Sequence, residues 1–153
     1  MTTEDIRIDT ANGIGFIAFD RPKALNELTP TGLRSISEAL RAWWHDQAIR
    51  AVIVYSPHLR AFCVGGDIRF LYNSAKAGDR NAIDAFFTDE YKLNHTIFTF
   101  PKPYIAMMNG VTHGQRHGHL AGRASHGRPA ARHASQTRWR CPRRASACFR
   151  TSA

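Results

Sequence analysis

Gly65-Gly66-Asp67 is the segment of this 153-residue chain whose residue types and spacing are best suited to chemistry. Two glycines leave their backbone N–H groups unobstructed, and an aspartate in the third place is suited to cap a helix that starts there. Between the apolar Cys63-Val64 segment and a helix start, such N–H groups can face a bound oxygen, with the positive end of the helix dipole behind them. That is what an oxyanion hole requires: fixed donors aimed at a carbonyl oxygen that gains negative charge. A plain tight turn with a capping aspartate accounts for the same three residues, and the local sequence leaves both readings open.

Other combinations carry less. Gly13-Ile14-Gly15-Phe16-Ile17-Ala18 fits the loose G-x-G-x-x-A spacing of dinucleotide sites. That fingerprint belongs between a strand and a helix, whereas these residues lie inside an apolar, strand-like run, so a hairpin is expected. His113, His117 and His119, with Cys141 and Cys148, fit no standard zinc spacing, and no metal site is assigned. The three cysteines (Cys63, Cys141, Cys148) form no paired framework, which suits a reducing compartment. Glu90, taken alone, is expected to be a solvated helix charge.

The elements that must position the glycines can be read from periodicity. Ile6 and Ile8 alternate with polar residues, Asn12-Gly13 favours a tight turn, and Ile14 to Phe19 supplies a second strand, so an antiparallel hairpin is predicted. Asp20 to Lys23 reads as a loop, because Pro22 biases its predecessor away from helix. Thr29, Pro30 and Thr31 start a helix whose apolar positions are Leu33, Ile36, Leu40, Trp43 and Trp44, running to about Asp46. Ala51 to Tyr55 is a short buried-type strand, Asn81 to Phe98 a longer helix, and Tyr104 to Met108 another strand. Strands alternating with helices predict an α/β layer fold joined by right-handed crossovers.

The composition breaks at Thr112. Residues 1–111 hold 12 Lys+Arg and 12 Asp+Glu, whereas residues 112–153 hold nine Arg and five His with no Lys, Asp or Glu. The net charge of +9 therefore belongs to the tail. The expected division is a folding unit over residues 1–112 and a basic, low-complexity, unstructured tail over 113–153. An Arg-rich arm with Trp139 and Phe149 can attract polyanions, but no specific nucleic-acid partner is assigned. The acidic start lacks an apolar core, and no apolar run approaches the roughly 18 residues of a membrane helix. A cytoplasmic location without membrane contact is the expectation.

Several segments together carry a family resemblance. Asp20-Arg21-Pro22-Lys23-Ala24-Leu25-Asn26, Arg50-Ala51-Val52-Ile53-Val54 and Ala61-Phe62-Cys63-Val64-Gly65-Gly66-Asp67-Ile68 resemble the crotonase (enoyl-CoA hydratase/isomerase) superfamily. Phe86-Phe87-Thr88-Asp89-Glu90-Tyr91-Lys92-Leu93-Asn94, followed by Phe100-Pro101-Lys102-Pro103, is similar to its 3-hydroxyisobutyryl-CoA hydrolase branch. The resemblance implies a crotonase-like ββα superhelix, of which residues 6–112 supply the N-terminal part. It implies that Gly66 offers the first oxyanion-hole N–H to a thioester carbonyl, with Gly65, Asp67 and Ile68 shaping the coenzyme A pocket. Lys23 and Ala24 would contact the CoA nucleotide, and Glu90 would be a substrate-contacting carboxylate. The partner so implied is an acyl-CoA thioester, hydrolysed in valine catabolism, with coenzyme A as part of the substrate and no separate cofactor. An enoyl-CoA hydratase/isomerase is the close alternative. A non-catalytic CoA-binding or adventitious nucleic-acid-binding fragment is the alternative of another class. A homo-oligomer is expected from the resemblance alone, and less so for a chain that carries only the first part of the fold.

The family continues with a methionine- and glycine-rich turn that supplies a second oxyanion donor, then with P-E-T and F-P-D-V-G segments whose carboxylates do the acid–base or nucleophilic work. This chain has no Asp or Glu after Glu90, so those roles pass to none of its residues. Codons that can specify His113 to Arg123, read one nucleotide later, also spell M-G-S-G-M-G-I-S-Q-G. Codons for Arg138 to Ala153, read two nucleotides later, spell M-A-L-P-E-T-R-I-G-L-F-P-D-V-G. Both strings resemble the missing segments. The tail is therefore expected to be the family's catalytic segment read out of frame, with at least two insertions or deletions, and the chain is expected to be a truncated, inactive member.

Overall fold

The computed structural model describes residues 5–113. The Arg-rich tail, with Trp139, Phe149, His117, His119, Cys141 and Cys148, lies outside them. Strands β1 (Ile6–Ala11) and β2 (Ile14–Phe19) form the expected antiparallel hairpin, with Ile6 opposite Phe19 and Ala11 opposite Ile14. Its turn places Asn12 at φ 52° and Gly13 at φ 78°, the left-handed pair that matches strand twist. β3 (Ala51–Tyr55) pairs parallel with β2, and β5 (Tyr104–Met107) pairs parallel with β3, giving the sheet order β1-β2-β3-β5. Helix α1 (Pro30–Trp43) connects β2 to β3. Helices α2 (Ile68–Ala77) and α3 (Arg80–Thr99) lie between β3 and β5.

Alternation in the strands sorts the sheet into two faces. Ile17, Phe19, Val52, Val54, Tyr104 and Ala106 are buried in a core shared with Leu33, Ile36, Leu40 and Trp43 of α1 and Phe86, Leu93 and Ile97 of α3. The other face leaves Phe16, Ile53, Tyr55 and Met107 half-buried around an apolar cavity of about 370 Å³. α1 starts as predicted: Thr29 accepts the Gly32 N–H through its Oγ1, and Pro30 takes the first helical position. It stops at Trp43, short of Asp46, where the Lys102 ammonium donates to the Trp43 and Asp46 carbonyls. A cation on those last carbonyls suits the negative end of the helix dipole.

The false dinucleotide spacing has two separate causes. Gly13 serves the hairpin turn. Gly15 lies under the α1 tryptophan, where a Cβ would come within 2.7 Å of the Trp43 ring.

Two strands were not expected. β4 (Ala61–Cys63) and β6 (Val111–Thr112) form a separate parallel pair. Runs of three and two residues show no period, and only the tertiary pairing defines them. β4 is nevertheless the strand that delivers the chain to the glycine turn.

Candidate functional site

The glycine turn follows β4 directly. Ala61, Phe62 and Cys63 are all buried, so the turn is anchored in the core on its N-terminal side. Gly65 adopts φ 95°, which L side chains rarely adopt. Gly66 is confined differently: a Cβ there would lie 2.8 Å from Cζ of the buried Phe86 ring on α3. Asp67 caps α2, its Oδ1 accepting the Phe70 N–H at 2.9 Å. The capped helix start predicted from the residue types is thus present.

Leu28 holds the turn from the opposite side. Its N–H donates to the Gly65 carbonyl at 2.8 Å, and its carbonyl accepts the Asp67 N–H at 3.0 Å. In a parallel bridge of this kind the residue between those two bonds turns its own N–H and C=O the other way. The Gly66 N–H accordingly has no hydrogen-bond partner among the described residues. It lies beside the positive end of α2, with Ile68, the first residue of that helix, 70% exposed. A fixed, unclaimed donor at a helix start can stabilise an oxygen that gains negative charge.

Leu28 ends a strap that begins at Arg21. A short 3₁₀ turn over Pro22–Ala24 exposes Lys23 and leaves Ala24 half-buried, and the chain then passes through left-handed Leu25 (φ 51°) and Asn26 (φ 60°). Asn26 is buried, and both ends of its side-chain amide are hydrogen-bonded. Nδ2 donates to Ser56 Oγ at 3.0 Å, to the Ala61 carbonyl at 2.9 Å and to the Phe62 carbonyl at 3.0 Å. Oδ1 accepts the Arg21 N–H at 2.8 Å. One side chain thereby ties the strap carrying Lys23 and Ala24 to the strand that leads into Gly65. Arg21 adds a second tie, its Nη1 donating to Asp67 Oδ2 at 2.9 Å.

Glu90 differs from the solvated charge its type suggests. It falls in the series Phe86, Glu90, Leu93, Ile97, so α3 turns it towards the same side as three buried residues. It is half-buried, and that burial raises its carboxyl above the ordinary value of 4.5. Its charge is felt at Cys63. Burial chiefly pushes the Cys63 thiol up to about 11, the Gly65 N–H opposes this, and Glu90 adds to it. A thiol so raised is inert as a nucleophile at neutral pH.

The Glu90 shift has a pH signature. The folded protein holds this proton more tightly than the unfolded chain, so the stability it contributes is complete below about pH 4.5 and is lost as pH rises through the raised value. Glu90→Gln is expected to raise the melting temperature relative to the parent more at about pH 7 than at about pH 4. Thermal unfolding at both pH values checks this, and an offset independent of pH would contradict it.

The structure thus brings Gly65, Gly66, Asp67 and Ile68 together on one turn, joins Lys23 and Ala24 to it through the strap, and sets Phe86 of α3 against Gly66, with Glu90 one helical turn further along. Arg21, Asn26, Leu28 and Phe86 are the positioning residues that sequence reasoning did not single out. For Asn26 the only local signal is an asparagine placed to tolerate a left-handed turn; for Arg21 and Leu28 there is none. No group of three His, Cys, Asp or Glu side chains suited to a metal ion occurs among the described residues.

The chain is similar to known proteins. The sequence model of the family described as enoyl-CoA hydratase/isomerase matches residues 14–123, past the Thr112 boundary in composition. The chain is 41% identical over 110 residues to the mitochondrial 3-hydroxyisobutyryl-CoA hydrolase of Danio rerio, covering 72% of this chain and 28% of that protein. It is 44% identical over 111 residues to the protein of the same name from Xenopus tropicalis, covering 69% and 29%. It therefore spans less than a third of the length of these curated relatives. Among solved structures, a carnitinyl-CoA dehydratase from Mycobacterium thermoresistibile superposes with a TM-score of 0.68 at 39% identity, over 71% of this chain and 32% of that one. An enoyl-CoA hydratase from Rhodobacter sphaeroides 2.4.1 gives 0.67 at 39% identity, over 69% and 32%.

Proposed function

The chain belongs to the enoyl-CoA hydratase/isomerase family, and on that premise we propose that it is the thioester-holding part of a 3-hydroxyisobutyryl-CoA hydrolase-type enzyme. The observation that carries this reading is the Gly66 N–H, fixed between two backbone bonds to Leu28 and left without a partner among the described residues. A thioester carbonyl is an acceptor suited to it, because its oxygen gains charge when the carbon is attacked. Gly65, Asp67 and Ile68 shape the walls beside that carbonyl, Lys23 and Ala24 take the CoA nucleotide, and Glu90 meets the acyl group. Coenzyme A is part of the substrate, and the reaction needs no resident cofactor.

Holding a thioester is half of hydrolysis. Water must also be activated and the leaving thiolate protonated, which calls for carboxylates beyond the first oxyanion donor. The sequence contains none after Glu90. The 153-residue polypeptide is therefore proposed to bind acyl-CoA without turning it over, its tail being the catalytic segment out of frame. Sequencing the gene across the Thr112 codon tests the frame: homologous coding in a shifted frame supports it, and an intact downstream frame without such coding rejects it.

Calorimetric titration with 3-hydroxyisobutyryl-CoA, combined with an assay for released CoA thiol, tests the functional reading. Binding with no release above that of a Gly66→Ala control is the expected result. Absence of binding would reject the CoA reading, and release well above the control would reject the inactivity. The likeness to a solved enoyl-CoA hydratase at 39% identity favours a hydratase as second reading. A frame-restored protein offered 3-hydroxyisobutyryl-CoA and an enoyl-CoA separates the two by which it consumes. No helix among the described residues is long and apolar enough to cross a membrane. The curated relatives are named mitochondrial; cell fractionation decides between that compartment and the expected cytoplasm.

A further inference from the structure

The geometry points to Arg21 as the positioning residue of the Gly66 donor, acting through the Asp67 carboxylate. This rests on the oxyanion role proposed for Gly66. Asp67 joins the turn to α2, and both its carboxylate oxygens are committed: Oδ1 to the Phe70 N–H and Oδ2 to Arg21 Nη1 at 2.9 Å. Its side chain is 8% exposed, against 30% for Arg21, so the pair is more sheltered from solvent than a surface ion pair. Leu28 fixes the backbone of Gly65 and Asp67 through main-chain bonds alone. Fixing the Asp67 side chain adds a side-chain restraint on the C-terminal side of Gly66.

Arg21 has a second, electrostatic effect at the same place. Its guanidinium also faces Asp5 Oδ1 at 3.5 Å and Glu27 Oε2 at 3.6 Å. Three carboxylates thus share one cation. Without Arg21 they would present uncompensated negative charge beside a donor whose task is to hold a developing oxyanion. Arg21 is a positioning residue, with no contact to substrate required of it. It acts by aim and by charge.

The test compares two probes that differ only in the carbonyl: acetyl-CoA, a thioester, and S-ethyl-CoA, a thioether. Arg21→Gln in the full chain is expected to weaken acetyl-CoA about tenfold while S-ethyl-CoA stays within about twofold, because only the first uses the Gly66 donor. Arg21→Lys, which keeps the charge and loses the planar fork, should fall between. Arg7→Gln removes the same charge from the exposed Arg7–Asp20 pair and should change neither affinity.

A measurement without ligand accompanies the titrations. Amide hydrogen exchange by NMR should show the Asp67 N–H, bonded to the Leu28 carbonyl beside Gly66, exchanging about tenfold faster in Arg21→Gln, with the core amides of Ile17 and Val54 unchanged. Equal weakening of both probes, or Asp67 amide exchange equal to the parent's, would overturn the assignment. If the parent binds neither probe, the CoA reading fails, and the exchange measurement alone decides the role of Arg21.

Discussion

Asn26→Ala will lower the unfolding free energy by about 3–5 kcal/mol, among the larger effects that one substitution can have. Asn26 is 2% exposed, and its Nδ2 serves three acceptors, two of them backbone carbonyls of β4. Alanine leaves the Ala61 and Phe62 carbonyls without that donor in a buried place, and each stranded group costs about 1–3 kcal/mol. The Arg21 N–H loses its acceptor as well. Alanine must also sit at φ 60°, which costs an L residue with no local side-chain hydrogen bond about 1–2 kcal/mol.

Asn26→Gly separates these terms. Glycine loses the same hydrogen bonds but tolerates the left-handed backbone, so it should be less damaging than alanine by about 1 kcal/mol. Urea unfolding followed by circular dichroism measures both variants. A loss below about 1 kcal/mol for alanine would show that water replaces the amide and that the strap is less tightly held than its bonds indicate. The effect on ligand should exceed the effect on fold, because the strap carries Lys23 and Ala24 and ends on the bridge that orients Gly66.

What could be read from the sequence depends on the range of each interaction. The hairpin, α1, β3 and α3 were legible because their signals are local: Asn12-Gly13, the Thr29 cap, the apolar run at Ala51, and Phe86, Leu93 and Ile97 at helical spacing. The Asp67 cap was legible for the same reason, its partner being only three residues away. The strap was not. Asn26 reaches acceptors 30 to 36 positions distant, and Arg21 reaches Asp67 across 46. No spacing rule encodes such pairs. The segments holding Arg21, Asn26 and Asp67 were recognisable as a resemblance, but what joins them appears only in three dimensions. Glu90, taken alone, reads as a solvated charge for a different reason. Its place in the apolar stripe of α3 could be read from spacing, but the general preference of glutamate for solvent outweighed it.

Gly110→Ala is expected to destabilise the fold by about 3 kcal/mol or more, and a companion substitution shows why. Gly110 and Gly78 adopt nearly the same left-handed backbone, φ 67° and 72°. A Cβ on Gly78 meets nothing within 4 Å, so Gly78→Ala incurs only the conformational penalty, about 1 kcal/mol. A Cβ on Gly110 would lie 2.3 Å from the Leu59 carbonyl oxygen and 2.6 Å from the Arg60 carbonyl. Both obstacles are backbone, so no rotamer change relieves the clash and the 56–60 loop must separate from the chain after β5. That separation reaches the site. Just after Gly110, the Val111 N–H donates to the Arg60 carbonyl and the His113 N–H to the Cys63 carbonyl, the bonds that hold β6 on β4. Just before it, Asn109 Nδ2 donates to the Ser56 and His58 carbonyls. Displacing this clamp loosens Cys63, two residues before Gly65, on the side of the turn opposite the Leu28 bridge. Chemical denaturation of both variants therefore reads one backbone conformation in two surroundings. Equal losses at the two sites would mean that the loop yields freely and that β6 does not brace the glycine turn.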